Sequence, residues 1–444
     1  AIRNGNRVAV FGDYDVDGAT SSALLVRYFR AIGVAIEVYI PDRLAEGYGP
    51  NIAALEKLKA GGASLVITVD CGTTAYEPLE QAAAIGLDII VADHHVAEAG
   101  LPKVCALVNP NRLDDDSPHG QLAAIGVTFL LAVALNRRLR ERRFFDGGEP
   151  PEPDLRRWLD LVALGTVADV VPLTGINRAL VVQGLKVLAQ RRNPGLAALS
   201  DSAGIDEVPG AYHLGFILGP RVNAVGRVGE AGLGARLLAT ESADEARHIA
   251  GRLEAHNQER RAIEEAILSE AIAGIEQDGA GAMILASGAG WHAGVIGIIA
   301  SRLKDRYNRP AAVISIDGDT CTGSGRSIPG LDLGAAIIAA CQTGILIKGG
   351  GHKMAAGFTV EKAKLEDLKA FLGERVATDI KEGDIQPTMY LDGAMKPKAA
   401  DMNLLEILGQ VGPFGAGNPE PRFVIPAAHL SYAAVVGDRH VRGF

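Results

Sequence analysis

Asp13, Asp15 and Asp17 occupy alternate positions of Asp13-Tyr14-Asp15-Val16-Asp17-Gly18, directly after an apolar run at 8–11. Asp70 follows the apolar run 65–69, and Asp93-His94-His95 follows the run ending at 92. In extended backbone alternate side chains share one side, and three carboxylates aimed together repel unless a cation neutralises them. Carboxylates with one imidazole suit a hard or borderline ion, manganese or magnesium ahead of zinc. An odd set of acidic ligands sharing one site suggests two ions bridged by a carboxylate, placed to activate water and polarise a phosphoryl oxygen. The first motif also opens like a calcium-binding EF-hand, but the bidentate Glu required at its twelfth position is Leu24 here. Asp169, in the otherwise apolar Gly165-Thr166-Val167-Ala168-Asp169-Val170-Val171-Pro172-Leu173, is a fifth candidate. Two readings stand for it: a metal ligand, or a carboxylate hydrogen-bonding its own turn.

These residues need elements that bring them to one place. Apolar runs at 8–11, 36–40, 65–69, 89–92 and 104–108 predict strands, with helices over 19–32, 51–60 and 76–85 between them. This alternation predicts an α/β fold with a doubly wound parallel sheet, whose strand ends deliver chemistry to one edge. A helix over 121–143 ends in the basic cluster Arg137-Arg138-Leu139-Arg140-Glu141-Arg142-Arg143, read as a solvated helix end. A long polar helical pattern over 241–276 joins this first domain (1–240) to a smaller α/β domain (277–382). Short strand signals and turns fill 383–444, too few for a complete small barrel.

With 444 residues, 48% hydrophobic and 22% charged, the chain has a globular composition and needs more than one core. No apolar stretch is long enough to span a membrane, so no membrane partner is expected. The opening Ala1-Ile2-Arg3-Asn4-Gly5-Asn6 has no apolar signal region and no Met, and reads as part of a longer chain. Cys71, Cys105, Cys321 and Cys341 form no C-x-x-C pair, which excludes a zinc knuckle or disulfide framework and fits a reducing cytoplasm. A net charge of −9 argues against a broad basic surface for duplex DNA, though not against a local basic groove.

Further motifs could hold a substrate. In Gly349-Gly350-Gly351-His352-Lys353-Met354-Ala355-Ala356-Gly357 the glycines permit close backbone approach and His352 can donate to phosphate. Thr322-Gly323-Ser324-Gly325-Arg326-Ser327 offers hydroxyls and a guanidinium among glycines. Gly219-Pro220-Arg221-Val222-Asn223-Ala224-Val225-Gly226-Arg227 reads as a short loop with two arginines, suited to bidentate phosphate binding, and an Asn. Trp291-His292-Ala293-Gly294-Val295-Ile296-Gly297 reads mainly as the opening of a buried helix, with His292 able to face a cleft. Tyr48 suits either base stacking or turn packing.

The four motifs around Asp15, Asp70, His94 and Asp169 resemble those of the DHH phosphoesterase superfamily. That resemblance implies metal ligands at Asp15, Asp17, Asp70, His94 and Asp169, with Asp70 bridging two divalent ions and His95 beside the phosphate. Asp13 is then a ligand, an outer support, or a brace for His95. Many members carry a His four residues before Asp15, where this chain has Phe11, which leaves one metal position short of a ligand. The glycine-rich motif at 349–357 is similar to the DHH-associated substrate-binding domain. G-P-R-x-N-A, G-S-G-R-S and W-H-x-G-V-I-G are similar to the RecJ branch, and Val411-Gly412-Pro413-Phe414-Gly415-Ala416-Gly417-Asn418-Pro419 to the entry of that branch's OB-fold. The resemblance implies 5′-to-3′ hydrolysis of single-stranded DNA to mononucleotides in repair and recombination. Arg221, Asn223, Arg227, Ser324, Arg326, Ser327, Gly350, Gly351 and His352 would hold phosphates, with His95 and Asp13 at the chemistry. It further implies single-strand-binding protein and a recombination helicase as partners, and a monomer. The rival readings are a relative acting on short oligonucleotides, cyclic dinucleotides or pyrophosphate, and a non-catalytic replication scaffold that has lost metal ligands.

Overall fold

The computed structural model describes residues 1–43, 45–379, 388–429, 431–437 and 440–443. The first sheet contains β1 (Arg7–Gly12), β2 (Ile36–Tyr39), β3 (Ala63–Val69), β4 (Asp88–Ala92) and β5 (Ala106–Val108), all parallel in the order β2-β1-β3-β4-β5. Both faces are covered. Val8 and Val10 point into a core shared with α1 (Val16–Ala31) and α4 (Ala124–Glu141), while Ala9 and Phe11 point into one shared with α2 (Ile52–Ala60) and α3 (Tyr76–Ala84). That is why these strands read as continuous apolar runs. The chain leaves β1 in one direction and β3 in the other, and open sheets bind ligands beyond such a reversal.

The first domain continues as helices: α5 (Leu159–Ala168), α6 (Gly175–Leu188), α7 (Pro194–Ser202), a π-helical turn (His213–Leu218), α8 (Gly219–Val228) and α9 (Leu233–Ala239). The short loop expected at 219–227 is therefore helix α8, with Pro220 in its first turn, where a missing N–H costs nothing. Gly226 is there for proximity, because a Cβ would stand 2.8 Å from the Tyr14 carbonyl oxygen. The Thr322–Ser327 and Gly349–His352 motifs lie largely on strands. Low β-propensity is overridden by ladder hydrogen bonds to neighbouring strands.

Helix α10 (Ala243–Asp278) has 36 residues, about 54 Å at the usual helical rise. Its first half packs Ala246, Ile249 and Leu253 into the first domain, and its second half packs Ile267, Ala271 and Ile275 against the second. At its middle Arg260 donates to Glu264 (2.6 Å) and to Asn257 (3.0 Å), and Arg302 pairs with Glu264 from the second domain.

The second domain is a mixed sheet, β6 (Ile284–Ala289), β7 (Ala311–Asp317), β8 (Thr320–Arg326), β9 (Leu346–His352) and β10 (Ala355–Glu361), in the order β6-β7-β8-β10-β9. Helices α11 (Ile296–Tyr307), α12 (Leu333–Gln342) and α13 (Leu365–Asp379) cover it. The boundary expected at 382/383 lies outside the described residues. Beyond it come α14 (Met402–Gly409), a two-stranded pairing of Gly393–Ala394 with Phe423–Val424, and a hairpin of Ala433–Val436 with His440–Gly443. Among the described residues no helix is long and apolar enough to cross a membrane.

One buried acid makes stability pH-dependent. Asp160 sits in the first turn of α5, 1% exposed, and burial raises its carboxyl to about 6 despite the nearby Arg27 guanidinium. Because the folded value lies above the unfolded one, the folded state binds more protons between about 4 and 6. Stability from this group is full at low pH and is lost as pH rises through 6. Asp160→Asn should therefore raise stability at pH 7.5, on the order of 1–3 kcal/mol. That gain should vanish near pH 4, as read from paired urea titrations. An equal gain at both pH values would sink the argument.

Candidate metal centre and basic pocket

The acidic cluster assembles because three loops extend the parallel ladder by one residue beyond their strands. Asp13 N–H donates to Val69 O (3.3 Å), Asp70 N–H to Ala92 O (3.1 Å) and Asp93 N–H to Val108 O (3.1 Å). Asp70 adopts φ 62°, a left-handed conformation that Asp tolerates better than most residues. The first motif is not extended throughout, as its alternation had suggested. Asp15 is the N-cap of α1, accepting from Asp17 N–H (2.9 Å) and Gly18 N–H (3.1 Å). Asp17 lies in the first turn and accepts from the amides of Ala124 (2.6 Å) and Ile125 (2.8 Å) at the start of α4.

His94 Nδ1–H donates to the Leu122 carbonyl oxygen (3.1 Å), which leaves Nε2 as a lone pair facing the acids. Nε2 lies 3.4 Å from Asp70, 3.7 Å from Asp169 and 3.9 Å from Asp17. Among the described residues, three groups have ligand atoms within 4.8 Å of one another: Asp13–Asp15–Asp70, Asp17–His94–Asp169 and Asp70–His94–His95. Asp70 and His94 each belong to two of them. Burial, then mutual repulsion, pushes Asp13 up to about 8 and Asp169 up to about 7, and raises Asp17 and Asp70 well above the usual range. Asp13 Oδ1, Asp70 Oδ1 and Asp169 Oδ2 are buried without a hydrogen-bond partner. Orphaned anionic oxygens around one imidazole lone pair fit divalent cations. Phe11 supplies no ligand: it is wholly buried, stacked on Tyr39 at 5.5 Å.

Asp93, which the sequence marks only as the first member of its motif, holds the loop. It is buried, yet the hydrogen bond and charge of His95 and the Thr73 amide keep it well below the usual carboxylate range. It accepts from His95 Nδ1–H (2.8 Å) and from the His94 (2.7 Å) and Thr73 (3.0 Å) amides. His95 is raised in return, against its own partial burial. Tyr48 donates to the Asp70 carbonyl oxygen (3.1 Å) and its hydroxyl is 3.3 Å from His95 Nδ1, so it packs against the loop.

Beside the cluster lies a cavity of about 530 Å³ lined by Arg43 and Arg227 of the first domain and by Ser324, Arg326, Lys348 and Gly349 of the second. Arg227 Nη1 donates to the Gly294 carbonyl oxygen (2.9 Å), joining the domains. Burial and neighbouring guanidiniums lower Arg227 to about 10, and burial and Arg43 lower Arg326. Cations crowded this way favour an anion between them. Arg43 escaped the sequence reading. It lies over the Tyr14 ring (5.1 Å) and its charge reaches Asp13, linking cavity and acids. Its place just after β2 is the signal, since sites gather at strand ends.

Other expected residues are placed differently. Asn223 Oδ1 accepts from Val16 N–H (3.0 Å), tying α8 to the first motif. Arg221 pairs with Glu254 (2.5 Å) and lines a neighbouring groove that Arg227 also borders. Ser327 is wholly buried and donates to Leu331 O (3.0 Å), so it does not reach the cavity. Gly350, Gly351 and His352 continue along β9 outside the cavity lining, and His292 Nδ1 is occupied by the Gly294 amide (3.1 Å).

Comparison with known proteins agrees with this layout. Residues 7–166 match the DHH family N-terminal domain, 279–378 the DHHA1 domain and 391–444 the RecJ OB domain. The single-stranded-DNA-specific exonuclease RecJ of Salmonella typhimurium is 39% identical over 100% of this chain and 78% of that protein. The crystal structure of RecJ from Thermus thermophilus with Mn2+ superposes with a TM-score of 0.85 at 31% identity, covering 100% of this chain and 63% of that longer one. A crystal structure of exonuclease RecJ bound to manganese gives a TM-score of 0.72 at 34% identity, covering 86% of this chain and 92% of that one. With these cores, this cluster and identity along its full length, the chain belongs to the RecJ family of single-stranded-DNA-specific exonucleases.

Proposed function

We propose that this chain hydrolyses single-stranded DNA from its 5′ end to mononucleotides. The observation that carries this reading is the nearness of two halves of a phosphodiesterase site: Arg43 lines the guanidinium cavity and lies over the ring of Tyr14, between Asp13 and Asp15 of the acidic cluster. Two divalent cations, manganese or magnesium, held by Asp15, Asp17, Asp70, His94 and Asp169, would polarise the scissile phosphate and acidify the attacking water. The Asp13–Asp15–Asp70 grouping supports Asp13 as a further ligand. His95, oriented and kept basic by Asp93, donates to a phosphate oxygen as charge develops. Arg43, Arg227 and Arg326 hold a neighbouring phosphate and orient the strand.

Single-stranded DNA labelled at one end or the other, digested with Mn2+, tests this. Mononucleotides released first from the 5′ end support it. Hydrolysis confined to dinucleotides would refute it. Arg326→Ala should raise KM by roughly 10- to 100-fold, from a lost charge-assisted bond of about 1.5–3 kcal/mol, with kcat changed far less. An unchanged KM would remove Arg326 from the phosphate site. Partnership with single-strand-binding protein and a recombination helicase, a monomeric state and a cytoplasmic location belong to the same proposal, supported by family membership.

A further inference from the structure

The loop that carries Asp169 is gripped from the far end of the chain. Asp169 closes α5 with ordinary helical angles (φ −76°, ψ −4°), but Val170 then turns to φ 62°. A β-branched residue in that region is strained, and the Val170 side chain is 70% exposed, so its own burial offsets nothing. The next residues along the chain hold the turn. Leu173 is buried and its N–H donates to the Ala416 carbonyl oxygen (2.7 Å), while Asn177 Nδ2 donates to the Pro172 carbonyl oxygen (3.1 Å).

Ala416 lies in residues 411–419, which are shaped for this contact. A Cβ on Gly415 would stand 2.7 Å from Leu173 Cδ1. On Gly417, itself at φ 67°, it would stand 2.8 Å from Pro172 Cβ. Asn418 Nδ2 closes the segment by donating to the Val411 (3.1 Å) and Pro413 (2.9 Å) carbonyl oxygens. Arg178 Nη2, from α6, donates to the Gln410 (3.2 Å) and Gly412 (3.0 Å) carbonyl oxygens. These bonds reach main-chain atoms within a few residues of a carboxylate that lies 3.7 Å from His94 Nε2.

We propose that residues 411–419 act as a clip that positions Asp169, so that cation binding in the first domain depends on docking of the C-terminal segment. The inference rests on Asp169 being a ligand, as in the proposed function. Groups that orient metal ligands commonly govern affinity by about 10- to 100-fold.

Two variants of the full chain test it from opposite sides of the junction: Gly417→Val, which adds bulk at a positive φ, and Arg178→Ala, which frees the segment's other end. Mn2+ affinity is read by paramagnetic resonance of free Mn2+, and the clip itself by hydrogen exchange of the Leu173 amide. In both variants Leu173 should exchange faster and Mn2+ should bind about 10- to 100-fold more weakly, with kcat restored at high Mn2+. Val208→Ala, at an exposed site, should change neither. Faster exchange with unchanged Mn2+ affinity overturns the clip, and so does unchanged Leu173 exchange in both variants. If the unmodified chain itself takes up no Mn2+, the ligand assignment fails instead.

Discussion

Asp70→Ala should lower DNA hydrolysis by roughly 10³- to 10⁴-fold, the equivalent of several kcal/mol of lost charge stabilisation at the phosphate. Asp70 is 2% exposed, belongs to two of the three ligand groups and carries a buried oxygen with no hydrogen-bond partner. In the proposed mechanism its removal would leave the cations short of a shared ligand. A second readout separates chemistry from misfolding. Without metal the variant should stay close to the parent in heat stability, because loss of a buried carboxylate repelled by Asp15, Asp17 and Asp13 offsets the cost of alanine at φ 62°. Adding Mn2+ should raise the parent's Tm by mass action and leave the variant's largely unmoved. Turnover within tenfold of the parent would remove Asp70 from the centre of the mechanism.

Glu264→Ala should cost roughly 3–5 kcal/mol of folding stability, because it strands a buried cation. Glu264 is 1% exposed and takes Arg260 from its own helix and Arg302 from α11. Arg260 is also largely buried, with Asn257 as its remaining partner. Glu264→Gln keeps an acceptor and should recover part of the loss. The neighbouring exposed Glu265, changed to Ala, should stay within about 0.5 kcal/mol. Thermal melts of the three variants decide this, and equal Tm values for the Glu264 and Glu265 variants would dismiss the buried pair.

The first sheet was legible because parallel strands buried on both faces leave apolar runs that stop where charge begins, as at Phe11 to Asp13 and Val69 to Asp70. The long helix was legible from its extended polar pattern. The helices between 155 and 239 were not. α5, Leu-Asp-Leu-Val-Ala-Leu-Gly-Thr-Val-Ala, is buried on nearly all sides and carries no clear period, and α8 contains glycines and a proline. Gly226 answers to a tertiary demand, the approach of Tyr14, which no local pattern announces. The metal-type residues stood out by type and position. Arg43 and Asp93 did not, since one is an ordinary arginine after a strand and the other acts through its neighbour. Ser327 shows the converse: a hydroxyl in a suggestive motif that the fold turns inward.

Because one uninterrupted helix, α10, serves both cores, its length is also an angular setting. Adding or deleting a single residue between Leu253 and Ile267 would turn everything beyond it by about 100° and move it about 1.5 Å, swinging Arg326 away from Arg227. Insertions can accumulate in the surface turns of either domain. Within α10, descendants of this chain are confined to substitutions, or to length changes close to whole helical turns.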